Sequence, residues 1–148
     1  MHFDLVDAVL DRGPGSIRTL KQVTLAEEYL QDHFPGFPIL PGVMMLEAMA
    51  AAARRLVEAE TDDPARARLV LAEVRNVKYG AMVRPGDALE VEVTATEADA
   101  HGCWKCSGRA TVRRHADPAV DGDTAVSGRF TMRPVPPASA RTAAAATP

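Results

Sequence analysis

The chain has only two cysteines, Cys103 and Cys106, too few to staple a secreted scaffold. Their CWKC spacing invites comparison with redox and zinc motifs. However, the surrounding HGCWKCSGRATV reads as a strand, residues three apart on a strand point to opposite faces, and there is no second cysteine pair to complete a zinc site. A structural role is expected, since free cysteine packs as a small hydrophobe. A net positive charge is lacking as well. A formal net charge of -3 gives no overall attraction to a phosphate backbone, so nucleic acid is a poor partner and any acidic partner must meet a local basic patch. Long apolar runs are missing as well: the longest, Val43 to Ala53, is interrupted by Glu47 and is well short of the ~20 residues that span a bilayer. The opening MHFDLVDAVLDR carries acidic residues and lacks the basic start and unbroken apolar stretch of a signal peptide, so a cytoplasmic protein is expected. No internal repeat is present.

What is present suits one domain: 148 residues with 47% hydrophobic content are enough for a single core. Phe3, Val6, Val9 and Leu10 fall at helical spacing and predict a short opening helix, broken by Gly13-Pro14-Gly15. Ser16 to Leu25 suits a first strand. AEEYLQDHF is expected to form one or two helical turns before PGFPILPG, where Pro35, Pro38 and Pro41 forbid a continuous helix or central strand. Pro41 then opens a helix to Glu60, rich in Ala, Leu and Met. Its first half is apolar on every side except at Glu47, while Arg54, Arg55, Glu58 and Glu60 mark its exit to solvent. After a turn at TDDPAR come β-like segments at Leu69 to Tyr79, Leu89 to Glu97, Trp104 to Arg114 and Thr124 to Met132, with turns at Pro85 to Asp87 and Asp99 to Gly102. This pattern predicts an α+β fold, with about five mostly antiparallel strands wrapped on one long helix. The tail from Pro134 has no hydrophobic face and is expected to be disordered, leaving residues 1 to 133 as the domain.

Three groups stand out chemically. Glu47 is the lone ionisable residue within an apolar helical stretch, where a bare carboxylate is costly to bury. It is either satisfied by local backbone or a protomer boundary, or it is a general acid kept protonated by desolvation. His33 precedes the rigid loop and is a candidate base, although a loop histidine on the surface is the plainer reading; His2, His101 and His115 have no comparable surroundings. Gly42, at the predicted helix start, permits a sharp entry and offers a free amide where negative charge can accumulate. A base, an acid and a polarising amide are what is needed to remove a proton beside a thioester carbonyl and expel a β-hydroxyl, with no metal or organic cofactor.

The run HFPGFPILPGVMMLEAMA, His33 to Ala50, closely resembles the signature of the 3-hydroxyacyl-[acyl-carrier-protein] dehydratases of the FabZ type. The resemblance extends through Leu25 to Gln31, the VKYGAMVRPGDAL segment and the late strands to Arg133. It implies a hotdog fold, a curved antiparallel sheet around a central helix. It also implies dimers in which His33 and Glu47 of different protomers meet, and assembly of dimers into hexamers. By position, His33 and Glu47 match the family's catalytic pair, and Gly42 the glycine whose amide binds the thioester carbonyl. The substrate would arrive on the phosphopantetheine arm of acyl carrier protein. Phe37, Met44, Met45, Met49 and Tyr79 are candidates to line an acyl tunnel, although Met on a helix also serves as plain core. Arg75, Lys78 and Arg84 are candidates to meet the acidic carrier, or are simply a solvated basic surface.

The chain departs from the family pattern in several places. Asp32 precedes the histidine where glycine is usual, Ala51 replaces a glutamine one turn beyond Glu47, and Gly80 and Ala81 replace a basic pair. Two other readings of the same fold are a thioesterase and a non-catalytic acyl-binding subunit of a hetero-oligomer. The arrangement from HFPG to LEAMA disfavours the first and the retention of both His33 and Glu47 the second. Double-bond isomerisation is disfavoured because isomerising relatives usually carry Asp where this chain has Glu47.

Overall fold

In a computed structural model of the chain, residues 4–61, 68–96, 98–114 and 116–135 are described. Six strands and one long helix follow in the order β1 (Ala8–Gly13), β2 (Ser16–Gln22), α1 (Gly42–Glu60), β3 (Leu69–Tyr79), β4 (Ala88–Ala95), β5 (Trp104–Arg113) and β6 (Thr124–Pro134), with a 3-10 turn at Glu28–Leu30. The strands form one antiparallel sheet in the order β1-β2-β4-β5-β6-β3, so β1 and β3 are its edges. α1 packs across β2, β4, β5, β6 and β3, the sheet-on-helix arrangement of a hotdog fold.

The pleat explains the sheet. In β4, Leu89, Val91 and Val93 are buried while Glu92 and Thr94 face out, and in β5 Cys106, Gly108, Ala110 and Val112 are buried between exposed Lys105, Ser107 and Arg109. The inward side chains meet Met45, Ala48, Met49, Ala52, Leu56 and Val57 of α1. Close contact is set by Gly108, where a Cβ would stand 2.6 Å from the Met49 sulfur. In β3, Asn76 and Val77 oppose the single residue Gly128 between the pairs Arg75↔Arg129 and Lys78↔Ser127, which is a β-bulge with Asn76 at φ 54. Gly128 leaves room for Val77, whose Cγ2 would lie 3.1 Å from any Cβ there.

The N-terminal expectation is corrected. Ala8–Gly13 is a strand and not part of a helix, which makes the strand count six. Gly13 pairs directly with Ser16, so Pro14 and Gly15 are the two central residues of a hairpin. Proline followed by a glycine at φ 65 suits a type II turn, so the residues read as a break in fact join two strands. β1 buries almost nothing, so its apolar spacing carried no information about a core face. Phe3, the expected turn at TDDPAR after Thr61, and the tail beyond Val135 lie outside the described residues, although Pro134 itself pairs with Leu69.

Candidate active site

His33 is held by a loop that the prolines and glycines shape. Phe34 and Phe37 exchange both backbone hydrogen bonds, at 3.2 and 2.9 Å, around Pro35 and Gly36, and Gly36 takes a positive φ of 75. The chain then folds back, with the Ile39 N–H donating to the His33 carbonyl at 2.9 Å. Leu40 N–H donates to Val83 O at 2.8 Å, which ties the loop to the segment after β3. That segment is itself braced: Arg114 donates to Met82 O at 3.0 Å and to both carboxylate oxygens of Asp87, at 2.8 and 2.6 Å.

The imidazole is oriented as well as placed. Its Nδ1 is 2.9 Å from Ile39 O, and its ring stacks on Phe34 with centroids 4.3 Å apart. A carbonyl can only accept, so in the neutral ring Nδ1 carries the hydrogen and Nε2 keeps its lone pair. Nε2 has no hydrogen-bond partner among the described residues. The lone pair of Nε2 is thus left free.

Gly42 is the first residue of α1, after Pro41, so its N–H has no carbonyl one turn earlier in the helix to donate to. A Cβ there would stand 2.7 Å from Cε1 of the Tyr79 ring, so a side chain at this position would push the ring aside. Around these groups Phe34, Phe37, Val43, Tyr79 and Met82 are large apolar side chains exposed on the single chain.

Glu47 differs from its expected setting. It is about one-third exposed and forms a charge-assisted hydrogen bond with Arg54, two turns further along α1. It is therefore not a lone carboxylate in an apolar shell. The pair faces a cavity of about 400 Å³ lined by Asp4, Leu5, Glu47, Ala51, Arg54, Arg55 and Glu58. His33 does not line this cavity, and within one chain His33 and Glu47 share no hydrogen bond. Arg54 was missed at the sequence level, where it read only as the start of the helix's solvated end. The usable signal was the spacing of Glu47, Ala51 and Arg54 along one helical face.

The other expected residues divide. Met45 and Met49 are buried in the core of the single chain and Met44 is half-buried, while Phe37 and Tyr79 stand on the surface near His33 and Gly42. Arg75 pairs with Glu73 at 2.8 Å, Lys78 lines a groove of about 660 Å³ on the sheet, and the Arg84 guanidinium lies 5.1 Å over the Phe37 ring. The three cations therefore have three different immediate settings. Gly80 also has a structural reason: a Cβ there would lie 2.4 Å from the Thr124 carbonyl, where β3 closes on β6. Cys106 is buried in β5 while Cys103 lies just before it, and both are free thiols.

Comparison with known proteins places the chain in a family. Residues 1–121 match the family model of the FabA-like domain. The FabZ 3-hydroxyacyl-[acyl-carrier-protein] dehydratase of Geobacter metallireducens is 42% identical over 113 residues, covering 75% of each chain. That of Jannaschia sp. is 41% identical over 132 residues, covering 87% of this chain and 77% of the relative. Among solved structures, the dehydratase heterocomplex ApeI:P of Xenorhabdus doucetiae superposes with a TM-score of 0.63 over 89% of this chain and 99% of that one, at 16% identity. A thioesterase superfamily member of Thermus thermophilus gives the same score over 88% of each chain, also at 16% identity. These two likenesses establish the fold alone. Fold, family model and sequence relatives together establish that the chain belongs to the FabZ-type 3-hydroxyacyl-[acyl-carrier-protein] dehydratases, within the FabA-like domain family.

Proposed function

We propose that the protein dehydrates (3R)-3-hydroxyacyl thioesters, carried on the phosphopantetheine arm of acyl carrier protein, to trans-2-enoyl thioesters in cytoplasmic fatty-acid or related lipid synthesis. The observation that carries the assignment of the base is the Nδ1 contact of His33 with Ile39 O, which leaves Nε2 free to accept a proton. His33 Nε2 takes the α-proton, the Gly42 N–H stabilises the enolate-like oxygen, and the carboxyl of Glu47 protonates the β-hydroxyl as it leaves as water. The proton on His33 then returns to Glu47 and the cycle closes. Electrons and protons balance without a metal or organic cofactor.

Within one chain the base and the acid share neither a hydrogen bond nor a cavity, which supports a working site built from two copies. The geometry supports a particular pairing. Gly42 sits against Tyr79 at the end of β3, whereas Arg54, the partner of Glu47, donates to Leu69 O at its start. β3 is a sheet edge, so two copies joined antiparallel along it would set the start of one β3 against the end of the other. His33 and Gly42 of one copy would then approach Glu47 of the other, beneath the exposed Phe34, Val43 and Met82. Three such dimers forming a hexamer complete the reading. Arg84, at the rim of the His33 loop, is the cation offered to the carrier or its phosphopantetheine, since Arg75 is committed to Glu73.

The test is to incubate the protein separately with 3-hydroxyacyl and saturated acyl thioesters of acyl carrier protein. Enoyl product from the first and no thiol release from the second is expected. Thiol release from both without enoyl product would make the protein a thioesterase.

A further inference from the structure

We propose that Arg54 is a positioning residue for the reaction, fixing which oxygen of the Glu47 carboxyl carries the transferable proton; the inference rests on the assignment of Glu47 as the acid. Arg54 is anchored at two points. Its Nε donates to the Leu69 carbonyl at 3.2 Å, and its terminal nitrogen donates to Glu47 Oε1. The first contact ties the guanidinium to the start of β3, so the second aims a rigid donor at the carboxyl. The approach is open because Ala51, between the two on the same helical face and lining the same cavity, carries only a methyl group.

Guanidinium groups donate hydrogen bonds and never accept them. When Glu47 is protonated, Oε1 therefore faces a donor and cannot also hold the acidic hydrogen, which must sit on Oε2. When Glu47 has given its proton away, the same contact becomes an ion pair that keeps the carboxylate in place for the return proton. Arg54 touches neither the substrate nor the reacting atoms. It acts through Glu47, and both ends of its hydrogen-bonding fork are needed to define the direction of the carboxyl.

The experiment measures hydration of a 2-enoyl thioester on acyl carrier protein by the wild type, Arg54→Gln, Arg54→Lys and Glu47→Gln, with melting temperature and oligomeric state recorded for each. Misplacement of the acid should lower kcat of Arg54→Gln on the order of 10- to 100-fold while KM stays within about threefold. Lysine can donate to Glu47 but cannot span to Leu69 O at the same time, so Arg54→Lys should recover part of the loss and remain below wild type. A kcat of Arg54→Gln within about twofold of wild type, or a loss that lysine does not relieve, overturns the proposal. Should Arg54→Gln lose its fold, Arg54→Lys decides: reduced kcat at unchanged KM supports the role and unchanged kcat refutes it. Glu47→Gln separates the two layers of the argument. If it is active, the acid assignment itself falls; if it is inactive while Arg54→Gln is unimpaired, only the role of Arg54 falls.

Discussion

The guanidinium of Arg114 spans both carboxylate oxygens of Asp87, with Nε 2.8 Å from Oδ1 and the terminal nitrogen 2.6 Å from Oδ2. Burial pushes the Asp87 carboxyl up, but the hydrogen bonds from Arg114 and the Arg84 backbone, together with both positive charges, outweigh it and hold the group below the ordinary carboxylate range. The native state therefore binds a proton here less readily than the unfolded chain does. The resulting stability is present above the unfolded pKa of about 4 and is lost as pH falls through the lower native value. Asp87→Ala should cost about 3 kcal/mol near neutrality, since it removes the carboxylate from a largely buried guanidinium and leaves it the Met82 carbonyl. Denaturation curves from neutral to acidic pH should show the gap between wild type and variant closing toward the acid end. A gap independent of pH would refute this account of the pair.

His33→Ala and Glu47→Gln should each reduce hydration of a 2-enoyl thioester to background while leaving the oligomer intact. Assays on the mixed oligomer sharpen this. If the site is shared between copies, combining the two inactive variants should restore activity in those sites that receive His33 from one chain and Glu47 from the other. Mixtures as inactive as their parents, with subunit exchange demonstrated, would place both groups within one chain.

Two glycines near the site should fail in different ways. A Cβ on Gly42 meets the Tyr79 ring, which is half-exposed and can swing aside, so Gly42→Ala should cost about 1 kcal/mol of stability while lowering kcat by about tenfold or more through the displaced amide. A Cβ on Gly80 meets the Thr124 carbonyl, which is backbone in a paired strand. Gly80→Ala should therefore be the less stable of the two, by about 1 to 2 kcal/mol. Melting curves and kcat measured on both variants check the ordering, which fails if Gly42→Ala proves the less stable protein.

The Cys106 thiol is pushed up to about 12 by burial, so it is not a thiolate at neutral pH and is shielded from reagents. Timed labelling with a soluble thiol reagent should modify one cysteine in the native protein and the second only on denaturation. Equal rates for Cys103 and Cys106 would contradict the burial of β5.

Much of this was legible in the sequence, and the exceptions have physical causes. Met-, Leu- and Ala-rich periodicity located α1, and alternation located β4 to β6, because those elements bury one face and their residues record it, while β3 was located by its Leu- and Val-rich composition although only Leu69 in it is buried. Ala8–Gly13 was misread because an exposed edge strand carries no such record, and the decisive signal was the turn chemistry of Pro14 and Gly15. Lys21, a charge within the apolar alternation of β2, points inward, where Glu27 at 3.1 Å and Asp7 at 3.5 Å compensate it. His33 and Gly42 could be singled out because prolines and glycines mark their backbone needs. The pairing of Glu47 with Arg54 could not, since a long flexible side chain leaves its destination open until the helix face and the start of β3 are known.

The two edges of the sheet are unequal in length. β3 is eleven residues long and β1 only six. Both carry register shifts and charged residues, so length is what separates them, and a very short edge strand is a poor template for strand addition. In the pairing proposed above, with two copies joined along β3, the edges left outermost are the two short β1 strands, so growth along the hydrogen-bonding direction would stop at a pair.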